Sequence, residues 1–111
     1  MIQVGFFKEM GLYKDIGSIT EYLVEDVNYD KEKVIAYLET QNKVASCPRN
    51  AIDCLSGKII SSSFSVYNDA DKEYEWCDFL PYHIRKYNVR LPENFLEKIE
   101  KDTRERVRVK K

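Results

Sequence analysis

The stretch Glu75–Phe95, EWCDFLPYHIRKYNVRLPENF, changes its hydrophobic period twice and contains the only Trp, the only His and two of the three Pro of the chain. Tyr74 and Trp76 alternate with Glu73, Glu75 and Cys77, the two-residue rhythm of a half-buried strand. Asp78 then offers an N-cap carboxylate. Leu80, Ile84 and Tyr87 follow at i, i+4 and i+7, a helical stripe. Pro81 is tolerated because the first turn of a helix has no internal partner for its missing N–H. Leu91-Pro92 restarts the chain, with Pro92 suited to a first helical position and Phe95, Leu96 and Ile99 forming the next stripe. The pattern predicts strand, helix, short link and helix, with Trp76 as the anchor of a core.

Upstream, Met1–Phe7 (MIQVGFF) is a short apolar run suited to an edge strand or a buried arm, with Gly5 weakening a regular strand. Lys8–Gly17 reads as a loop. Ser18-Ile19-Thr20-Glu21 fits a capping box and predicts a short helix from Ile19 to about Glu25. Asp30 can cap a second helix, Lys31 to about Gln41, with Val34, Ile35 and Leu38 facing inward. Ser46-Cys47-Pro48-Arg49-Asn50 marks a turn or an edge break. Ala51–Leu55, Ser56-Gly57 and Lys58–Tyr67 predict a β-hairpin, because Gly supplies the positive φ of a tight turn. In its second strand Ile60, Phe64 and Val66 share the face expected to be buried, and the polar turn Asn68–Lys72 leads into the strand Glu73–Cys77. The expected fold is α+β: a small antiparallel β-sheet of about three to four strands with N-terminal and C-terminal helices. A chain of 111 residues suits one domain over 1–111, with a solvated and frayed basic tail at about 103–111.

Charge is balanced overall but not along the chain. Residues 1–30 carry six acidic and two basic residues, a net of −4, and residues 101–111 carry six basic and two acidic residues, a net of +4. Three cysteines, Cys47, Cys54 and Cys77, form no close pair, which argues against a disulfide scaffold and for a reducing compartment. No N-terminal leader pattern and no apolar run of about 18 residues is present. The expectation is a cytoplasmic protein outside the membrane.

The search for chemistry is mostly negative. Cys47 and Cys54 are seven apart around a Pro turn and His83 is six from Cys77, spacings that match neither a zinc knuckle nor a His pair at i, i+4. A thiol of Cys54 or Cys77 with His83 as base lacks an orienting third group, and a helix histidine half exposed beside a core face is the commoner case. The glycines are scattered at 5, 11, 17 and 57, so no phosphate loop forms. No enzyme, cofactor or metal site is expected. The arginines of the tail have no interleaved aromatics and the net charge is near zero, so nucleic acid is not the expected partner. Two acidic clusters remain. Glu21, Glu25, Asp26, Asp30 and Glu32 lie near the N-terminal helices. Asp69, Asp71, Glu73, Glu75 and Asp78 surround Tyr74 and Trp76 with only Lys72 opposing them. Carboxylates interleaved with tyrosine suit a basic protein partner, because charge steers encounter and Tyr supplies rigid contact area. The candidate partner-binding residues are therefore Asp69, Asp71, Glu73, Tyr74, Glu75 and Asp78.

The run Trp76-x-Asp78-x-Leu80-x-Tyr82, followed by Lys86-Tyr87-x-Val89-x-Leu91-Pro92-x-x-Phe95, resembles a C-terminal signature of small bacterial immunity proteins. These are encoded beside polymorphic or contact-dependent growth-inhibition toxins. Ser46-Cys47-Pro48 and Ala51-Ile52-Asp53 ahead of the Ser-Gly turn fit the same pattern. The resemblance covers roughly residues 43–99 and rests on residues with structural roles. It implies an immunity protein that binds the C-terminal domain of one cognate toxin and occludes its active site. Many such toxins are nucleases with basic clefts, for which an acidic inhibitor surface is suited. The alternative is a small regulatory module that uses the basic C-terminal tail on nucleic acid or an acidic protein.

Overall fold

The computed structural model describes the backbone of residues 2–12 and 16–109, with side chains described as far as residue 104. Lys14 and Asp15 of the acidic N-terminal third lie outside the described residues, as do Lys110 and Lys111 of the basic tail. Six strands and three α-helices follow one another along the described chain: β1 (Ile2–Gln3), α1 (Lys31–Glu39), β2 (Asn42–Cys47), β3 (Ala51–Ile52), β4 (Ile59–Ser61), β5 (Phe64–Asn68), β6 (Tyr74–Cys77), α2 (Phe79–Lys86) and α3 (Glu93–Val109). The class is α+β, as expected.

The helix starts follow from local chemistry. Ser18 and Glu21 form the capping box reciprocally, but the helix they open is a single 3-10 turn, Ile19–Tyr22. It ends where Leu23 turns extended to pair with Val89. Asp30 accepts from the Lys33 N–H at 3.3 Å and opens α1, whose Val34, Ile35 and Leu38 are buried as the stripe requires. Asp78 sits at the start of α2 but does not cap it. Its carboxylate accepts instead from the Ser65 N–H at 3.1 Å, and its own N–H donates to the Ser65 carbonyl at 3.0 Å. A reciprocal bond to the neighbouring strand has displaced the local cap.

The main sheet runs in the order β1-β6-β5-β2 and is mixed, not wholly antiparallel as expected, because the N-terminal arm adds to it as a parallel edge strand. β5 is antiparallel to both β6 and β2, with Tyr67 opposite Trp76 and opposite Lys43. β1 lies parallel to β6, with Ile2 opposite Tyr74. The N-terminal arm is thus both edge strand and buried segment, with Val4, Phe6 and Phe7 in the core. Gly5 has φ 75°, and a Cβ there would stand 2.6 Å from the Leu80 Cδ1, so the arm can bend under α2 only with Gly at this position.

Two further expectations need correction. The long strand Lys58–Tyr67 is broken at Ser62-Ser63. Its first part, β4, pairs only with β3 in a separate two-stranded ribbon, while β5 belongs to the main sheet. Ile60, expected inside with Phe64 and Val66, is therefore exposed. The turn or edge break expected over Ser46–Asn50 begins only at Pro48, since Ser46 and Cys47 close β2, an edge strand with five of its six residues exposed. An edge strand wet on both faces shows no apolar alternation, so its sequence carries no strand signal.

One core joins these elements. Trp76 is fully buried, its ring 5.5 Å from that of Phe95 on α3 and 6.1 Å from that of Tyr37 on α1. Its Nε1–H donates to the Leu38 carbonyl at 3.2 Å. The indole is the pin between the sheet and both long helices.

Candidate functional site: the acidic turn and its lysine

The turn joining β5 to β6 is held by its first carboxylate. Asp69 is fully buried, and its Oδ1 accepts from the N–H groups of Glu73 (2.9 Å) and Tyr74 (2.8 Å). Lys72 takes a left-handed φ of 57° to close the turn, donating its N–H to the Asp69 carbonyl. The other oxygen, Oδ2, makes no hydrogen bond and faces the Lys98 ammonium at 3.6 Å.

Lys98 is the residue that sequence reasoning missed. It lies on α3, nearly buried, and its Nζ reaches four carboxylates: Asp69, Asp71, Glu73 at 3.8 Å and Asp102 at 3.0 Å. Burial disfavours its charge, but bonds to Asp71 and Asp102 outweigh that and push its pKa above the usual lysine value. The same bond holds the Asp71 carboxyl below the ordinary range. Asp102 in turn accepts from the Tyr37 hydroxyl at 2.6 Å, which ties α1 into the network. Oxygens of Asp69, Asp71 and Glu73 lie within 4.8 Å of one another, a spacing able to seat a cation. The cation seated among them is the ammonium of Lys98.

The six candidate residues divide. Asp71 and Glu73 project from the turn with 61 % and 58 % of their side chains exposed. Asp69 and Tyr74 are turned inward, the Tyr74 ring packing at a tilt on Phe95 with centroids 4.9 Å apart, so the contact area expected of Tyr74 lies in the core. Glu75 is half-buried and accepts from the Gln3 side-chain amide of β1. Asp78 is engaged with Ser65, and burial raises its pKa. Burial raises the pKa of the Tyr74 phenol, and the charges of Glu73, Asp69 and Glu97, an exposed carboxylate of α3, add to it. Asp71 and Glu73 are the carboxylates of the turn left facing outward, and α3 adds an exposed carboxylate in Glu97.

The second buried carboxylate, Asp53, holds the β3–β4 ribbon against α2. It accepts from the N–H groups of Leu55 (2.9 Å) and Ser56 (3.1 Å), the hydroxyls of Tyr82 (2.8 Å) and Tyr87 (2.8 Å) and the Lys86 ammonium (3.2 Å). Burial alone would raise its pKa, but these bonds overwhelm it and hold the carboxyl far below the usual range. The Asx-turn pattern Asp53-x-x-Ser56-Gly57 was the available signal, with Gly57 at φ 77°.

His83 is also corrected from half exposed to fully buried. Its Nε2 accepts from the Cys54 N–H at 2.9 Å, so Nδ1 carries the proton and donates to the Phe79 carbonyl at 2.7 Å. Burial lowers its pKa, the bond to Phe79 only partly offsetting this. Both ring nitrogens are committed to backbone. Burial also pushes the Cys54 thiol up to about 12 and the Cys77 thiol higher still.

No helix among the described residues is long and apolar enough to cross a membrane. Comparison of the chain with protein-family models, with curated proteins and with solved structures found no match.

Proposed function

We propose that this chain is an immunity-type protein that neutralises a cognate bacterial toxin domain by docking an acidic face over a basic active-site cleft. One observation carries the reading: Asp71 and Glu73 are both more than half exposed, yet both are anchored on a lysine that is itself nearly buried. Four carboxylates share that one ammonium, so the turn retains negative charge to offer. Asp71, hydrogen-bonded to Lys98 on a turn that Asp69 holds rigid, is already oriented before a partner docks, and pre-organisation of this kind raises affinity without new contacts. A cationic cleft of the nuclease type is the complement, because it must hold phosphate and would be blocked by carboxylates in its place. The resemblance of Trp76–Phe95 to immunity proteins points the same way.

The test is capture of the tagged protein's partner at moderate salt from the source cells, followed by assay of that partner's activity. The expected result is one tightly bound toxin domain whose activity is abolished at a stoichiometric amount of this chain. Asp71→Asn/Glu73→Gln should weaken binding at least tenfold and flatten its salt dependence. A partner bound equally well by that double variant would remove the acidic turn from the interface. Absence of any toxin domain among the partners would sink the neutralising role.

A further inference from the structure

Between α3 and the segment leading into α1 lies a cleft of about 480 Å3, within the size range of clefts that hold ligands. Its floor is apolar: Val34 and Ile99 are buried core residues, and Tyr29 and Leu96 are partly covered. Its rim carries Asp30, Glu93, Glu97 and Glu100 against Lys33 and Arg104. Three of the four carboxylates are engaged internally. Glu100 pairs with Lys33 at 3.1 Å, Asp30 accepts from the Lys33 N–H, and Glu93 accepts from the Asn28 amide at 2.8 Å. Glu97 makes no hydrogen bond or ion pair among the described residues and is exposed.

We infer that this cleft grips an arginine of the protein partner together with an adjoining apolar side chain: the guanidinium against Glu97, the apolar group on Leu96 and Tyr29. The inference rests on the reading of this chain as a binder of a basic protein and adds where that protein is held. The charge balance selects the occupant. Phosphate or an acidic peptide would meet a rim with two more carboxylates than cations, whereas a guanidinium finds an unpaired carboxylate above an apolar floor. Arginine suits such a seat because its weakly hydrated planar head forks onto a carboxylate while its stem covers apolar surface. The cleft also resolves a question left open by the linear sequence. The acidic segment around Asp30 and the acidic turn at 69–73 are separate clusters along the chain, and α3 bridges them.

The experiment is amide NMR titration of the full-length, isotope-labelled chain with three synthetic peptides: alternating Arg and Leu, the same with Glu for Arg, and the same with Ser for Leu. The Arg/Leu peptide should shift residues 28–34 and 93–100, with the other two at least tenfold weaker. Glu97→Lys, at an exposed position without an internal partner, should lower that affinity at least tenfold while leaving thermal stability unchanged. Shifts confined to residues 69–73, equal binding of the Ser-containing peptide, or unchanged affinity in Glu97→Lys would each overturn the inference. If the peptide occupies the cleft but no toxin partner exists, the cleft stands and the neutralising role falls. If a toxin partner binds Glu97→Lys as tightly as the parent chain, the reverse holds.

Discussion

Replacing Lys98 by Met retains most of the aliphatic stem and removes only the ammonium. Lys98 and Asp69 have side-chain exposures of 6 % and 0 %. Breaking a buried ion pair by deleting one partner costs about 3–5 kcal/mol, because the other charge is left uncompensated. Asp71 and Glu73 open onto water, so their share of the pairing is screened and contributes little. The expected cost is therefore at the low end, about 3 kcal/mol. With a urea m-value of about 2 kcal/mol/M, that lowers the denaturation midpoint by roughly 1.5 M. The buried Trp76 provides the fluorescence signal. Asp69→Asn keeps an oxygen for the Glu73 and Tyr74 N–H groups but turns an amide donor toward the ammonium, at a cost of about 1–2 kcal/mol. In the double variant neither charge remains, so the loss should fall short of the sum of the two singles by about 2 kcal/mol. A Lys98→Met loss below about 1 kcal/mol, or strict additivity, would show an ordinary solvated surface pair and refute the account of the turn as pinned.

Trp76→Ala should cost about 3–5 kcal/mol, the range for a fully buried large aromatic, with the Leu38 carbonyl also losing its donor. Urea unfolding followed by circular dichroism checks it, and a midpoint equal to that of the parent chain would contradict the role of Trp76 as pin. His83, with its pKa lowered by burial, should stay neutral in the folded chain below the ordinary histidine value of about 6.5. The unfolded chain then binds the proton first, so the stability His83 contributes is complete above about pH 6.5 and is lost as pH falls below it. Ring 15N shifts should report the Nδ1–H tautomer, and a ring that titrates in the folded protein at or above the ordinary histidine value would contradict this. Alkylation under native conditions should modify half-exposed Cys47 first and spare Cys54 and Cys77, whose thiols are buried and held protonated. Rapid modification of Cys54 would overturn that assignment.

Elements whose signals are local were legible in the sequence. The Asp30 cap, the Ser18–Glu21 box, the Gly57 turn, the inward faces of α1 and α3 and the Tyr74/Trp76 face of β6 depend on residues within a few positions of one another. The chemistry is complete in the segment itself, so α+β could be read directly. What lay beyond reach was decided by groups distant in sequence. β2 is a strand because β5 hydrogen-bonds it, and nothing in Asn42–Cys47 announces that. Asp78 abandons a helix cap for Ser65, thirteen residues away. Above all, Asp69–Glu73 reads along the chain as an exposed acidic run opposed by Lys72. In the fold Lys72 serves the backbone turn, and the opposing charge is Lys98, from a helix more than twenty residues later. Sequence spacing can place like charges together, but the counterion is chosen by packing. Only the docking of α3 on β6 through Phe95, Tyr74 and Trp76 separates the carboxylates neutralised inside from those left to face a partner.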